Sequence, residues 1–164
     1  MKITYSIHAT RAGRTVIAES AGEVLGVFLG EDAEHELRAE FPLARQTSPT
    51  AFSRRVVAAI DAGENSPPLR FTGTPFQRRV WAAIMQIPRG QVMSYKDLAL
   101  RAEATLAWRA VAGACASNKI AVLVPCHRVV PSRGMPGAYR WGADTKALLL
   151  EQEGMIFKSA SSES

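Results

Sequence analysis

Cysteine and histidine are scarce in this chain of 164 residues, and their spacing excludes a common class of site. There are two cysteines, Cys115 and Cys126, and three histidines, with no CxxC or HxxxH pair among them. Structural zinc sites use ligands at such short spacings, so the sequence predicts no metal site. The two thiols could pair in principle, but no secretory signal precedes them, and we expect both to be reduced in the cytoplasm.

Long apolar runs are also missing, although hydrophobic residues make up 47% of the chain and charged residues 21%, as in ordinary globular proteins. The longest runs are far too short to cross a bilayer, and residues 1–4 do not resemble the start of a signal peptide. The length suffices for one substantial core or for two small subdomains that share an interface. We therefore expect a cytoplasmic globular protein with no membrane partner.

Acidic residues are nearly absent from residues 70–140, where eleven lysines and arginines are balanced only by Asp97 and Glu103 and the net charge is +9. The segments on either side each carry a net charge of −2, so the total of +5 conceals a concentrated basic block. Such a block is typical of a site for a polyanion, with nucleic acid the leading candidate. The alternative is a solvated basic face without a partner.

Three short strands and two helices are predicted for the first half of the chain. Alternation over residues 3–7 and extended patterns at residues 15–18 and 24–29 predict an antiparallel meander. A short acidic helix should follow it. Ser48-Pro49 should then open a second helix, with Ser48 as N-cap, that Gly63 closes. No candidate site residues converge in this half.

A polar, proline-rich joint at residues 64–68 is the predicted domain boundary, and helices are expected beyond it. Thr74-Pro75 should open the first of them. Ser94 resembles the N-cap of a second, and a turn at residues 103–105 leads to a third, so the last two have a helix-turn-helix outline. The third is rich in alanine and offers DNA only Arg109, which suits minor-groove insertion better than base readout. Packing against a neighbouring helix explains its small residues equally well.

A short apolar run at residues 120–124 predicts a buried strand that ends at Pro125-Cys126-His127-Arg128. Apolar walls around a Cys-His pair can hold a thiolate away from bulk solvent, which favours a nucleophilic cysteine. The alternative is a buried structural cysteine beside a surface histidine. A final helix is predicted over residues 144–153, anchored to the core by Leu148 and Leu149.

A set of ordered motifs gives the sequence a resemblance to a known family. Pro125-Cys126-His127-Arg128-Val129 resembles the active-site signature of the O6-alkylguanine-DNA alkyltransferases. The likeness covers residues 71–154 densely and the first half weakly. It is greatest to the C-terminal repair domain of the bacterial adaptive-response protein and its stand-alone relatives. The further matching motifs are Ile87-Pro88-x-Gly90-x-Val92-x-Ser94-Tyr95-x-x-Leu98-Ala99, Arg109-Ala110-Val111, Asn118 and Gly137-x-Tyr139-Arg140-Trp141-Gly142.

The resemblance implies a catalytic role for five residues. Cys126 is similar to the cysteine that accepts the alkyl group, and His127 to its base, which acts through a water. Glu153 matches the carboxylate that orients this histidine. Asn118 resembles the asparagine that supports the turn of the site, and Tyr95 the tyrosine that pushes the target phosphate and hydrogen-bonds the base.

The resemblance also implies how DNA is bound. Arg109 looks like the finger that fills the gap left by an extruded base, and Tyr95, Arg128 and Ser94 are the other implied DNA contacts. The implied reaction is an irreversible transfer of an alkyl group from guanine O6 to Cys126, without a cofactor, with O4-alkylthymine as a further candidate substrate. A base in a duplex must be flipped out for such chemistry. The implied substrate pocket is formed by Tyr139, Val129, Arg140, Cys115 and Gly137.

The fold implied by the resemblance is α+β. A ribonuclease-H-like subdomain with a small antiparallel sheet and helices is expected at residues 1–66. A helical subdomain with a winged-helix-like helix-turn-helix and the active-site loop is expected at residues 67–157, and a disordered tail at residues 158–164. The expected partner is alkylated double-stranded DNA, bound by a monomer through the minor groove with little sequence specificity.

Two departures from the family pattern concern the helix-turn-helix. The usual Gly-x-Pro of the turn is replaced by Glu103-Ala104-Thr105, so the turn either has a different geometry or uses Thr105 as an N-cap. Trp108 replaces a usually small residue and either packs beneath the helix or projects beside Arg109 toward DNA. Two alternative functions also stay open: a non-catalytic protein that binds alkylated bases, against which Cys126 argues, and a fragment of a larger regulatory protein.

Overall fold

The computed structural model describes residues 1–131 and 136–155, which belong to two compact units. The first unit comprises Met1–Thr72 and Lys119–Leu123, and the second comprises Gly73–Asn118 and the chain from Val124 onward. The predicted α+β class is confirmed by a four-stranded sheet, a two-stranded sheet and six α-helices in the described residues. The predicted domain boundary stays a prediction, and the predicted tail lies outside the described residues. None of the described helices is long and apolar enough to cross a membrane.

The predicted meander forms most of the sheet in the first unit. β1 (Thr4–Thr10), β2 (Gly13–Ser20) and β3 (Glu23–Leu29) pair antiparallel in sequence order. The helix α1 (Ala33–Glu40) then leads the chain to β4 (Arg45–Gln46), which pairs parallel with β1. The sheet, in the order β3-β2-β1-β4, is therefore mixed and not antiparallel as predicted, because a helical connection returns the last strand in the same direction as β1.

The second helix of this unit, α2 (Ala51–Ala62), begins later than predicted. Its N-cap is Thr50 and not Ser48: the Ser53 amide donates to the Thr50 hydroxyl at 2.9 Å, and the Thr50 amide donates to the Ser53 hydroxyl at 2.8 Å. This reciprocal capping box satisfies two amides at the helix start, which the Ser48-Pro49 pair does not do. The predicted end at Gly63 is confirmed, with a left-handed φ of 74°.

The described part of the second unit contains four α-helices, and the two N-caps predicted for it, Thr74 and Ser94, are confirmed. The Gln77 amide donates to the Thr74 hydroxyl, and the Asp97 amide donates to the Ser94 hydroxyl, both at 3.1 Å. The four helices are α3 (Pro75–Ile84), α4 (Tyr95–Arg101), α5 (Trp108–Ala116) and α6 (Ala143–Gln152).

The turn between α4 and α5 has its own geometry. Glu103 takes a left-handed φ of 57°, and α5 begins at Trp108 after an N-cap, Ala107, whose side chain cannot accept a hydrogen bond. Thr105 therefore does not cap the helix, and the first alternative for this turn, a different backbone geometry, is the one observed. The helix consequently starts at Trp108, two residues after Leu106, the first residue beyond the predicted turn.

Buried contacts hold α3 against α5 and anchor α6. The Trp81 indole N–H donates to the Ala114 carbonyl at 2.8 Å inside the unit, so the position of α5 depends on α3. In α6, Leu149 and Leu150 are fully buried. The prediction that Leu148 anchors the helix is wrong, because 42% of its surface is exposed on the opposite side of the helix.

The predicted strand at residues 120–124 is a buried turn instead. Only Ile120 makes a strand-like bridge, to Val27 of β3, and the chain then reverses through Val122, whose φ is 69°. A left-handed backbone is unusual for a β-branched residue and interrupts a strand. Four of the five apolar residues are buried as predicted and Leu123 is half-buried, but a short apolar run cannot by itself distinguish a strand from a buried turn.

The caps of α3 and α5 give a paired test of the helix starts. Thr74→Ala should lower the free energy of unfolding by about 1 kcal/mol, because it removes the capping hydroxyl of α3. Thr105→Ala, the matched change in the exposed turn before α5, should alter it by less than about 0.5 kcal/mol. Urea unfolding of both variants measures the difference, and a cost for Thr105→Ala equal to that for Thr74→Ala would contradict the turn geometry.

Candidate active site

A short parallel ladder brings the start of α4 to the cysteine segment. β5 (Met93–Ser94) pairs with β6 (Val129–Val130), with Met93 opposite Val129. Tyr95 follows β5 directly, and a single turn of 3-10 helix, Cys126–Arg128, directly precedes β6. The ladder therefore places Tyr95 beside the Cys-His-Arg segment, although the two are thirty-odd residues apart in the chain. Strands of two residues have no periodicity, so the sequence could not predict this pairing.

A cavity of about 260 Å³ opens at the Cys126 thiol, which is 5% exposed. Tyr95, Cys115, Tyr139 and Arg140 line it, so four predicted residues meet at the cysteine. Its size is near the lower limit for small-molecule pockets, about 300 Å³, and suits a ligand as small as one base. The lining also includes three alanines that were not predicted: Ala112, Ala116 and Ala138.

Two residues predicted to form the pocket lie outside its lining. Val129 is fully buried in β6. Gly137 has a left-handed φ of 78°, and a Cβ there would meet the Pro131 ring at 2.7 Å. Neither residue therefore presents a side chain to the cavity.

The small residues of α5 lie on two faces of the helix, and each face has its own reason for small side chains. Val111 and Ala114 are buried against the rest of the unit, which confirms the packing alternative. Ala112 and Ala116 face the cavity and present only methyl groups to it. Larger side chains at these two positions would fill the space in front of Cys126.

Behind the cysteine, one buried carboxylate binds two neighbouring side chains. Both oxygens of Glu153 lie 3.1 Å from His127 Nε2. Arg128 donates from Nε and Nη2 to the same two oxygens at 2.9 Å, and from Nη1 to the Ile87 carbonyl at 2.8 Å. All three side chains of the cluster are buried. The prediction that Arg128 contacts DNA is therefore corrected, because its guanidinium is bound to Glu153 inside the protein.

The carboxylate of this cluster is held in its ionised form. Burial alone would raise the pKa of Glu153, but the hydrogen bonds and charges of His127 and Arg128 outweigh it and lower the pKa well below its usual range. An ionised carboxylate at Nε2 assigns the ring proton to that nitrogen. Nδ1 of His127 is then the atom that can accept a proton.

Burial favours the protonated form of the Cys126 thiol. Burial raises its pKa well above the ordinary value, and the neighbouring Cys115 adds to the effect. The Asn118 amide group opposes this by donating to Cys126 Sγ at 2.9 Å, and Lys146 opposes it through its charge. Asn118 also donates to the Val124 carbonyl at 3.2 Å, which supports the turn before the cysteine. The apolar walls thus stabilise a thiol, and a thiolate needs a base.

Lys146 is a member of the site that the sequence did not predict. Its side chain is fully buried, and Nζ donates to the Val129 carbonyl at 2.7 Å and the Ala138 carbonyl at 3.0 Å. Burial lowers the pKa of Lys146 to about 8, an effect that Cys115 and Cys126 partly oppose. A lone lysine in a helical pattern is typical of a solvated face, so no sequence signal indicated this burial.

Arg109 lies outside the cavity, on the exposed start of α5. Its guanidinium carbon is 5.3 Å from the ring centre of Trp108, and the indole is 49% exposed. Of the two alternatives for Trp108, the structure therefore shows the one that projects beside Arg109. Further exposed cations of this unit are Arg78, Arg79, Arg89, Lys96 and Arg101.

Replacing the buried carboxylate should give a pH-dependent loss of stability. At pH 7, Glu153→Gln should cost about 3–5 kcal/mol, because Arg128 is left buried without its counter-charge. The pKa of Glu153 is lower in the folded protein than in the unfolded chain. The contribution of Glu153 to the free energy of unfolding is therefore complete above its pKa in the unfolded chain and is lost as the pH falls toward its pKa in the folded protein. The difference in the free energy of unfolding between Glu153→Gln and the wild type should therefore become smaller below about pH 4.

Urea unfolding between pH 3 and 7 measures this gap. Glu151→Gln is the matched control, since it makes the same change on an exposed residue of α6. A difference in the free energy of unfolding that stays constant over the whole pH range would contradict an ionised Glu153.

The family described as 6-O-methylguanine DNA methyltransferase, DNA binding domain, matches residues 75–155. The chain is 37% identical over 162 residues to the bifunctional transcriptional activator/DNA repair enzyme Ada of Escherichia coli, covering 93% of this chain and 46% of the relative. It is 47% identical over 85 residues to a probable methylated-DNA--protein-cysteine methyltransferase of Acanthamoeba polyphaga mimivirus, covering 52% and 56%. The chain thus spans about half the length of these relatives.

The fold agrees with the sequence matches. A solved structure of Mycobacterium tuberculosis OGT in complex with DNA superposes with a TM-score of 0.77 at 33% identity, and the match covers 92% of each chain. Because this likeness extends over both compact units and the family match covers the whole of the Cys126 site, the chain belongs to the O6-methylguanine-DNA methyltransferase family.

Proposed function

We propose that this protein repairs DNA by transferring the alkyl group of O6-alkylguanine to Cys126. The observation that carries the proposal is a thiol at the inner end of a base-sized cavity, with a buried His127–Glu153 pair at the adjacent position. Relatives named methylated-DNA--protein-cysteine methyltransferase support the same reaction. O4-alkylthymine is a further candidate substrate, and the proposed site of action is the cytoplasm.

The transfer needs one proton to leave the thiol. His127 accepts it, in the family manner through a water, and Glu153 stabilises the imidazolium that results. The Asn118 N–H group and the Lys146 charge stabilise the thiolate while it exists. Sulfur then bonds to the alkyl carbon as the bond from that carbon to guanine O6 breaks.

The guanine departs with its oxygen and takes up a proton, which restores the ordinary base. Burial raises the pKa of Tyr95 to about 12, so its hydroxyl stays protonated and can donate a hydrogen bond to the base. The thioether left on Cys126 has no route back to a thiol within the site. Each molecule therefore acts once, and no cofactor is required.

DNA would bind to the helical second unit. Within this proposal α4 and α5 form the helix-turn-helix, and the first unit is the ribonuclease-H-like subdomain. The exposed cations of the second unit bind phosphates, and Arg109 enters the minor groove in place of the extruded base. Since α5 carries no Asn or Gln, binding depends little on sequence. A monomer suffices, because one unit contains the whole site.

The reaction predicts a single covalent product. Incubation with an O6-methylguanine oligonucleotide should add one methyl mass per protein molecule, mapped to Cys126 by peptide mass spectrometry. Cys126→Ser should not gain this mass but should still bind the oligonucleotide. Methylation of Cys115, or binding of the oligonucleotide without any transfer, would contradict the proposal, and the second outcome would favour a non-catalytic lesion-binding protein.

The finger role of Arg109 predicts a difference between duplex and single strand. Arg109→Ala should slow methyl transfer about tenfold in a duplex, because the gap left by the extruded base stays unfilled. In a single strand there is no gap, and the loss should be about twofold or less. Rates measured on both substrates give the ratio, and Arg55→Ala in the first unit controls for the loss of one exposed positive charge. Equal losses on both substrates would remove the finger role.

A further inference from the structure

A second cavity, of about 250 Å³, shares Tyr95 with the cavity at the cysteine. The two cavities are therefore adjacent. The lining of the second cavity includes an indole ring and a lysine. Its lining residues are Ser94, Tyr95, Lys96, Trp108 and Pro131.

Trp108 is not part of the buried core. Its surface is 49% exposed, whereas Trp81 in the same unit is 2% exposed and hydrogen-bonded to Ala114. The start of α5 therefore holds a large apolar ring in contact with solvent, although burying an aromatic side chain stabilises a protein by a few kcal/mol. The Arg109 guanidinium, 5.3 Å from the ring centre, restricts the indole further.

The helical repeat sets Trp108 beside the lesion pocket. Residues four apart share one face of a helix, so Trp108, Ala112 and Ala116 form one row along α5. Ala112 and Ala116 line the Cys126 cavity, and Trp108, one turn earlier, lines the second cavity. The second cavity is therefore the continuation of the lesion pocket along the same face.

The residues that line the second cavity are of the types that bind a nucleotide. An indole face stacks on any base, and a nearby cation binds a phosphate, which is the usual combination in sites for unpaired nucleotides. Lys96 is exposed and supplies that cation, and none of the described residues that line the cavity is acidic. A base extruded toward Cys126 no longer stacks on its neighbours, so an exposed ring beside the Arg109 finger can meet a newly exposed base.

We propose that the second cavity binds the base next to the extruded lesion on the same strand, stacked against Trp108. This inference rests on the proposed function, since the neighbour needs a new partner only when the lesion is extruded. Because the two cavities share Tyr95 and are adjacent, consecutive nucleotides of one strand fit them better than bases from opposite strands. Stacking on Trp108 thereby offsets part of the free energy needed to flip the alkylated base out of the duplex.

Equilibrium binding in the Cys126→Ser background tests the stacking without transfer. Trp108→Ala should weaken binding to an O6-methylguanine duplex about tenfold, whereas Trp108→Phe, which keeps an aromatic face, should weaken it about threefold or less. Leu106→Ala is the matched control: it removes a 98% exposed apolar side chain from the same turn, outside the cavity lining, and should leave the Kd unchanged.

The decisive measurement places an abasic nucleotide in the duplex. With the base missing on one side of the lesion in the same strand, the effect of Trp108→Ala should disappear; with the base opposite the lesion missing, it should persist. A tenfold effect that persists with either neighbour removed, or that disappears only with the opposite base removed, would overturn the inference. No effect of Trp108→Ala on any duplex would also overturn it.

The two hypotheses fail in different ways. If the wild type adds no methyl mass to Cys126, the proposed function fails, whatever Trp108 does to binding. If methyl transfer occurs while the Kd does not depend on Trp108, only the second cavity loses its assignment. The mass measurement is therefore made on the same oligonucleotides as the binding series.

Discussion

The ionised, buried carboxylate of Glu153 is the interaction on which the rest of the site depends. Without a partner, a carboxylate inside the protein would be unstable as a charge and would take up a proton. Arg128 prevents this, because its guanidinium is charged at every ordinary pH and binds both carboxylate oxygens. The orientation of His127 follows, since Nε2 must donate to the same oxygens. The family motif places Arg128 after the Cys-His pair, and the structure supplies the physical reason for it.

The same carboxylate also connects distant parts of the second unit. Glu153 is the C-cap of α6, and Arg128 extends from the 3-10 helix to the Ile87 carbonyl beyond α3. Burial at this position has a cost for chemistry, because it holds Cys126 as a thiol. Lys146 and Asn118 reduce that cost. Lys146 does so from a fully buried position, where it also binds the Val129 and Ala138 carbonyls.

The features predicted from the sequence were those with a local cause. The caps at Thr74 and Ser94 and the end of α2 at Gly63 each depend on side chains or backbone within one turn, and all are confirmed. Cys126, His127 and Glu153 were found through family spacing, and the structure brings them together. The burial of Lys146 and the two-residue ladder were missed, because non-local packing decides them. Arg128 was misplaced for the same reason: a charged residue next to a site is expected at the surface unless its counter-charge is known.

The sequence left two interpretations open for the small residues of α5, and packing holds for part of the helix, whereas DNA contact stays a prediction. A helix has separate faces, so other residues of the same nine-residue segment can line the cavity. Buried Val111 and Ala114 serve the packing, and the methyl groups of Ala112 and Ala116 leave the volume in front of the thiol. The row that ends in these methyl groups begins with Trp108, the largest side chain on the helix. The change from large to small along one face matches the two demands of base flipping, an empty pocket for the base that moves and a flat surface for the base that stays.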